Sequence, residues 1–498
     1  VNIQDKQRWT PLMRALNKGN EKIAQTLKKA GADLDKSLFI AVTRDENTLI
    51  DKLKKMGAGI NRYLEQTIKE NKSKLLEKLI KAGADIKYKD AKGRSLCLVG
   101  ARYKSRKSME VLLKKGVNIE HVFDEAIQKS EIDALNFLID IGVDVDKEND
   151  KGLTPLITAI KTNNTEITKI LKKAHADLNK SLLTAIKMGD KKSAECLKNL
   201  GGNINELFLE VIKEGKTELL QKLLNHDVNV NAGYDAGWTP LMYAAYYDKK
   251  QVAEKLIESG AGINRINDHG VTALLTGVYK ENKNLVQLLL DREANVNLKD
   301  NDNNSALLLA LERENKAIIE LLKSKGTSIN EALTDSIKKN NIKIVEKAIE
   351  SGAKVNEKDQ NGILPLNLAI SRCNKKIVKF LLENGAKVDI EDDLANSPLL
   401  LAVESGNKRI VEMLLSNNKT NIDTKNKSGE TALILAAKFR HEDIAILLID
   451  SGLKTDIEDK TGQTALMTAT QKGSEEIVNK MLSTKKISHK DIKNSLQI

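Results

Sequence analysis

Five prolines, three cysteines and sixteen aromatic residues are few for a chain of 498 residues. Such scarcity, beside a hydrophobic share of 41%, argues against both a disordered chain and a β-sandwich. Cys97, Cys196 and Cys373 lie far apart and form no CxxC pair. An odd number of scattered cysteines speaks against a disulfide framework and fits a reducing compartment. No apolar run approaches the ~18 residues that a membrane helix needs, and no signal peptide opens the chain. Catalytic signatures are absent too: there is no GxSxG, HExxH, GxxxxGKS or DFG. These absences point to a non-enzymatic, intracellular (cytoplasmic) protein with no cofactor.

Arginine is also scarce. Of 81 basic residues 68 are Lys and 13 are Arg, spread over the whole chain, and the net charge is +12. Base readout and bidentate phosphate clamping favour Arg. A solvated Lys-rich surface is therefore expected, and no specific nucleic acid. A Lys-driven nucleic-acid or anionic-surface binder is the alternative, with affinity falling steeply with salt.

What the chain has in abundance is repetition. A small apolar anchor recurs at Val1, Leu34, Ile60, Ile86, Ile119, Val145, Leu178, Ile204, Val230, Ile263, Val296, Ile329, Val355, Val388, Ile422 and Thr455. The intervals are 33 or 34 residues in nine cases and 26 in six. All five prolines (Pro11, Pro155, Pro240, Pro365 and Pro398) hold one place in the long unit, four of them after Thr or Ser. A hydroxyl N-cap followed by Pro at the first helical position opens a helix. A small pair such as Ala244 and Ala245 follows, then paired apolar residues such as Ile410, Val411, Leu414 and Leu415 on a second helix. A Gly three residues before eleven of the fifteen later anchors ends that helix. His175, Asp227, Glu293 and Lys419 replace it, which predicts strained or differently turned corners.

The long units, as in TPLMRALNKGNEKIAQTLKKAGADL from Thr10 and GWTPLMYAA from Gly237, resemble ankyrin repeats over essentially the whole chain. In the 26-residue units seven residues are missing, the β-turn finger and its flanks. Apolar residues four after the anchor (Leu38, Leu64, Phe123, Leu182, Phe208, Leu333) and eight after it keep the helix pair. The first helix is expected to start just after the anchor, capped there by Asp, Asn or once Glu. The fold class is thus all-α, an ankyrin-like α-solenoid of about 16 helix pairs, ten with fingers and six without. With helices ~8–10 Å apart, a single array over 1–498 would run roughly 130–160 Å along its path, as a monomer. Fingers stand side by side only from Val230 to Val296 and from Val355 onward, and fingerless units leave gaps between them. Val1 opens in mid-motif, and KKISHKDIKNSLQI either starts another fingerless unit at Ile487 or forms a cap.

Metal and phosphate chemistry finds little support. DNDNNS from Asp300 resembles an EF-hand opening but has Ser305 and Leu311 where Gly and Glu are needed. The six histidines show no zinc spacing. Cys97 stands at a core position, and Cys373 follows an inner helix in place of Gly. Gly201-Gly202 follows a helix and reads as its C-cap.

Resemblance to ankyrin repeats implies a protein partner, held by the fingers and by the two residues after each small pair. Five of the sixteen aromatics fall in GYDAGWTPLMYAAYY from Gly233. The candidate contact residues are Tyr234, Trp238, Tyr246, Tyr247, Tyr279 and Lys280, with His269 on a finger tip and Arg102 and Tyr103 in an earlier unit. Tyr243 points to packing, and Trp238 shares its frame position with Trp9. Exposed aromatics are the usual residues of binding hot spots. Ankyrin-like segments also serve as recognition arms of larger effectors, toxins or channels, and an effector would be delivered into a host cytosol.

Overall fold

The computed structural model describes residues 1–393, 397–417 and 419–483. The expected extra unit or cap at Ile487 lies outside them. Thirty-two α-helices run from Pro11 to Ser483, with two short 3-10 turns and, among the described residues, isolated bridges in place of strands. They pair into sixteen units, ten with a finger and six without, as the spacing predicts. The chain divides into two compact bodies, Val1–Glu210 with Glu218–Val228 and Val211–Thr217 with Asn229–Ile498. No helix among the described residues is long and apolar enough to cross a membrane.

In every fingered unit the first helix starts ten residues after the anchor, at Pro11 or Ala273 for example. All five prolines stand at its first position. The hydroxyls of Thr10, Thr154, Thr239 and Ser397 accept from a first-turn N–H, whereas Leu364 supplies no such bond.

The fingerless units correct one expectation. Their helices start at the anchor itself, and the cap is the residue before it. Asp33, Asn118, Asp177 and Ser328 accept from first-turn N–H groups. At Ile60 a 3-10 turn over Asn61–Tyr63 leads in instead. The residue after the anchor is left for a different bond. Asn2, Asp146, Asn231, Asn264, Asn356 and Asp423 accept from a backbone N–H 31 residues on. Asp35, Asn61, Asn179 and Asn330 accept from one 24 residues on. In all ten cases the donor is the residue just before the next anchor, so long and short units are tied in the same way.

Burial follows the same frame. The six apolar residues four after a fingerless anchor, from Leu38 to Leu333, are all buried to 2% exposure or less. Each such side chain contributes about 1.5–3 kcal/mol by leaving water. Where a fingerless unit follows a TPL unit, its Ser hydroxyl meets the preceding cap, Ser37 with Thr10 at 2.9 Å and Ser181 with Thr154 at 2.8 Å. Ile410, Val411 and Leu414 are fully buried, and Leu415 is half-buried. The corners at His175, Asp227 and Glu293 keep the left-handed turn, with φ of 62°, 56° and 63°. For residues with a Cβ this costs about 1–2 kcal/mol. At Lys419 the turn is built otherwise: Asn417 accepts from the Lys419 N–H, and the Thr420 hydroxyl donates to the Leu414 carbonyl.

Two stability outcomes are expected in urea melts. Asn356 accepts from Lys387 N–H at 2.8 Å and donates to Gly385 O at 3.0 Å. Asn356→Ala should cost about 1–3 kcal/mol, and Asn356→Asp, which keeps the acceptor, about half as much. Glu293→Gly should stabilise by about 0.5–1 kcal/mol by removing the left-handed strain.

Candidate functional site

The finger turn has a simple rule. The fourth residue after the anchor is Asp or Asn, and one side-chain oxygen accepts from the N–H groups two and four residues on. Asp5, Asp90, Asn149, Asn267, Asp300, Asp359, Asn426 and Asp459 all do this. Asp300 therefore spends one oxygen on its own turn, and Asn304 donates to the other at 2.8 Å. Among the ten fingers only that at Val230 departs, with Tyr234 in this place. Tyr234 keeps the backbone bonds to Trp238 O and from Gly237 N–H. Without the side-chain acceptor the finger coils into a 3-10 turn, Asp235–Gly237, with Ala236 at φ +52°.

Giving up that acceptor brings an aromatic ring to the base of the finger. Tyr234 stands edge-on to Tyr243 (centroids 6.0 Å), Tyr243 meets Trp238 (5.3 Å), Trp238 meets Tyr246 (5.7 Å), and Tyr246 meets Tyr247 (5.1 Å). These edge-to-face and tilted contacts are the favoured aromatic geometries, worth about 0.5–1.5 kcal/mol each. Exposure rises along the chain of rings. Tyr234, Trp238 and Tyr243 are half-buried, while Tyr246 and Tyr247 are 39% and 38% exposed. Trp9, at the same frame position as Trp238, is buried with Arg14 and Arg44 on its ring.

Cations flank the rings. Lys280 Nζ lies 4.4 Å from the Tyr246 centroid, Lys213 Nζ 5.5 Å from that of Tyr243, and Arg313 covers Tyr279 at 4.2 Å. Lys280 and Arg313 each reach back from one unit later. The repeat frame does not by itself name Lys213 or Arg313 as ring partners, whereas Tyr243, expected to pack, is half-buried against Tyr234 and Trp238. Lys213 was legible in principle: nine residues after a fingerless anchor corresponds to sixteen after a fingered one, the place of Tyr246 and Tyr279. Burial, and then the neighbouring Tyr243, pushes the Tyr234 phenol up to about 12, and burial raises Tyr243 as well.

The other candidates are placed separately. His269 is exposed on its finger tip, and its carbonyl accepts from Asn301 N–H at 2.9 Å. Gly270 beside it has φ +73°, and a Cβ there would stand 2.9 Å from Asn301 N. Similar backbone bonds join the fingers at Ala236 and Asp268, Gly362 and Asp393, and Ser428 and Lys460, so adjacent fingers form ledges. Arg102 and Tyr103 belong to the first compact body. Arg102 pairs with Glu131, which also holds Arg94 at 3.1 Å. Tyr103 is exposed under Lys69.

The family model for ankyrin repeats in threes matches residues 123–208, 206–267, 254–332, 333–426 and 399–493, and the single-repeat model matches 7–37. The chain belongs to the ankyrin-repeat family. Between these matches lie units opened by Leu34 and Ile60, both fingerless, and by Ile86, whose ankyrin-like helix pairs are nonetheless formed. No curated protein matches the chain significantly. Ankyrin repeats are in general protein–protein interaction modules.

A phenol harder to ionise in the folded state contributes stability that is complete below its ordinary value of about 10. That contribution is lost as pH rises through about 12. The fall in melting temperature on raising the pH from about 9 to about 11.5 should therefore be smaller in Tyr234→Phe than in the parent protein. Differential scanning calorimetry at the two pH values checks this.

Proposed function

We propose that this ankyrin-repeat chain is a non-enzymatic interaction scaffold whose face of fingers and inner helices captures a partner protein at the aromatic ledge from Tyr234 to Lys280. The observation that carries the reading is the chain of five touching rings, half-buried at its base and exposed at Tyr246 and Tyr247. Rigid aromatics lose little conformational freedom on binding and bury a large area, and the flanking Lys280 adds a charged rim. Tyr279 under Arg313 and the exposed His269 extend the surface. Arg102 and Tyr103 offer a second contact area, with Tyr103 the freer of the two. In this reading residues 1–498 act as a single recognition array, monomeric and working inside a cell.

Partners are first identified by crosslinking and mass spectrometry, then tested directly as purified protein. Tyr246→Ala with Tyr247→Ala is expected to weaken binding at least tenfold, consistent with hot-spot losses of about 2 kcal/mol. Helical circular dichroism should not change, because both rings stand outside the core. Undiminished affinity in the double variant would remove the ledge as the contact surface.

A further inference from the structure

Missing fingers open clefts in the ledges. One such cleft, of about 240 Å³, lies over the fingerless helix Ile329–Lys338, between Lys299 and the finger residues Glu357 to Asn361. Another lies over the fingerless helix Ile119–Gln128, beside Asn149. In both, the turn residue of the following finger faces a gap where a preceding finger would otherwise stand.

Charge bookkeeping in the first cleft leaves one acceptor over. Lys299 is held by Glu331 at 3.1 Å and Asp335 at 2.7 Å, Lys358 by Asp393 at 2.6 Å, and Glu357 by Lys354 at 3.1 Å. Asp359 spends its Oδ1 on the finger turn, accepting from Asn361 and Ile363 N–H groups at 2.9 Å. Its Oδ2 is buried, accepts no hydrogen bond among the described residues, and has Lys338 Nζ only at 3.9 Å. The side chain is 6% exposed. A buried acceptor left without a donor is costly, and more so when it is charged.

Two other fingers that follow a gap show how the chain meets this need. At the same frame position Asp90 Oδ2 receives the Nε of Arg94 at 2.6 Å. Asn149 instead donates its Nδ2 to Asp124 at 3.0 Å. Of the three, Asp359 alone lines a cleft with a buried Oδ2 that accepts no hydrogen bond among the described residues. Arg94 shows what fits there: a planar guanidinium, whose fork of donors matches a carboxylate.

We propose that the cleft over Ile329–Lys338 is a binding site for a guanidinium group, the side chain of an arginine in a partner protein, accepted by Asp359 Oδ2. Lys299 and Lys358 are matched by nearer carboxylates, and Lys338 Nζ stands 3.8 Å from Asp335 and 3.9 Å from Asp359, so the ligand that completes Asp359 is a donor that takes the place of this long contact. The site stands on different observations from the aromatic ledge and is tested without it.

The probe is N-ethylguanidinium at millimolar concentration, followed by saturation-transfer NMR on the full chain, with N-ethylurea as the uncharged control. The parent protein is expected to give a saturable signal that N-ethylurea does not. Asp359→Asn should lose at least tenfold in affinity while keeping its finger, since Asn holds the same turn at 149, 267 and 426. Tyr246→Ala with Tyr247→Ala should bind the probe unchanged. Absence of a saturable signal in the parent, which Lys338 or water settling on Oδ2 would produce, overturns the proposal. So does an equal signal in Asp359→Asn.

Discussion

One hydrogen bond ties ten of the units to the next within their bodies. It runs from the Asn or Asp just past an anchor to the backbone N–H just before the next anchor. Its span is 31 residues in a long unit and 24 in a short one, and the difference is the seven residues of the missing finger. The finger is therefore an insertion between two fixed points, and its presence or absence leaves the junction unchanged. In a repeat array each unit meets only its neighbours, so stability is a sum of unit terms and junction terms. A bond worth about 0.5–1.5 kcal/mol matters more when it recurs at junction after junction.

Much of this architecture is legible in the sequence, because it rests on local rules repeated many times. Anchor spacing, proline position and the apolar residues four after each fingerless anchor all mark what the structure forms. The Asx residue after the anchor serves the next unit and not its own helix. An Asn at a helix start reads as a cap, and nothing within its own unit reveals a donor in the next. Lys213 and Arg313 escaped for a related reason, since a cation on a neighbouring unit covers a ring only after stacking. The gaps left by missing fingers were visible from spacing, but the spare oxygen of Asp359 was not. That depends on which of several lysines reaches which carboxylate.

The aromatic ledge forms where a local rule is broken. Nine fingers have Asp or Asn at the head of the turn, and the tenth has Tyr234. The exchange removes an acceptor for two N–H groups and leaves Ala236 in a left-handed conformation, a strain of about 1–2 kcal/mol. In return a ring supports Tyr243 and, through it, Trp238 and Tyr246. Departures from otherwise consistent local preferences mark places where something other than stability was at stake.

Trp9 and Trp238 are the only two tryptophans, and they occupy the same frame position in different compact bodies. Their surroundings differ: Trp9 has two guanidinium groups on its ring, while Trp238 has two tyrosine rings within 6 Å. Tyrosines that close pass their excitation to the indole, so emission from Trp238 is sensitized by its own ledge. Repeat arrays need not melt in a single step, and a bulk signal averages over their partly unravelled forms. Each indole lies in one body alone, so a Trp9→Phe or Trp238→Phe variant leaves a single emitter that reports on one body without any attached dye.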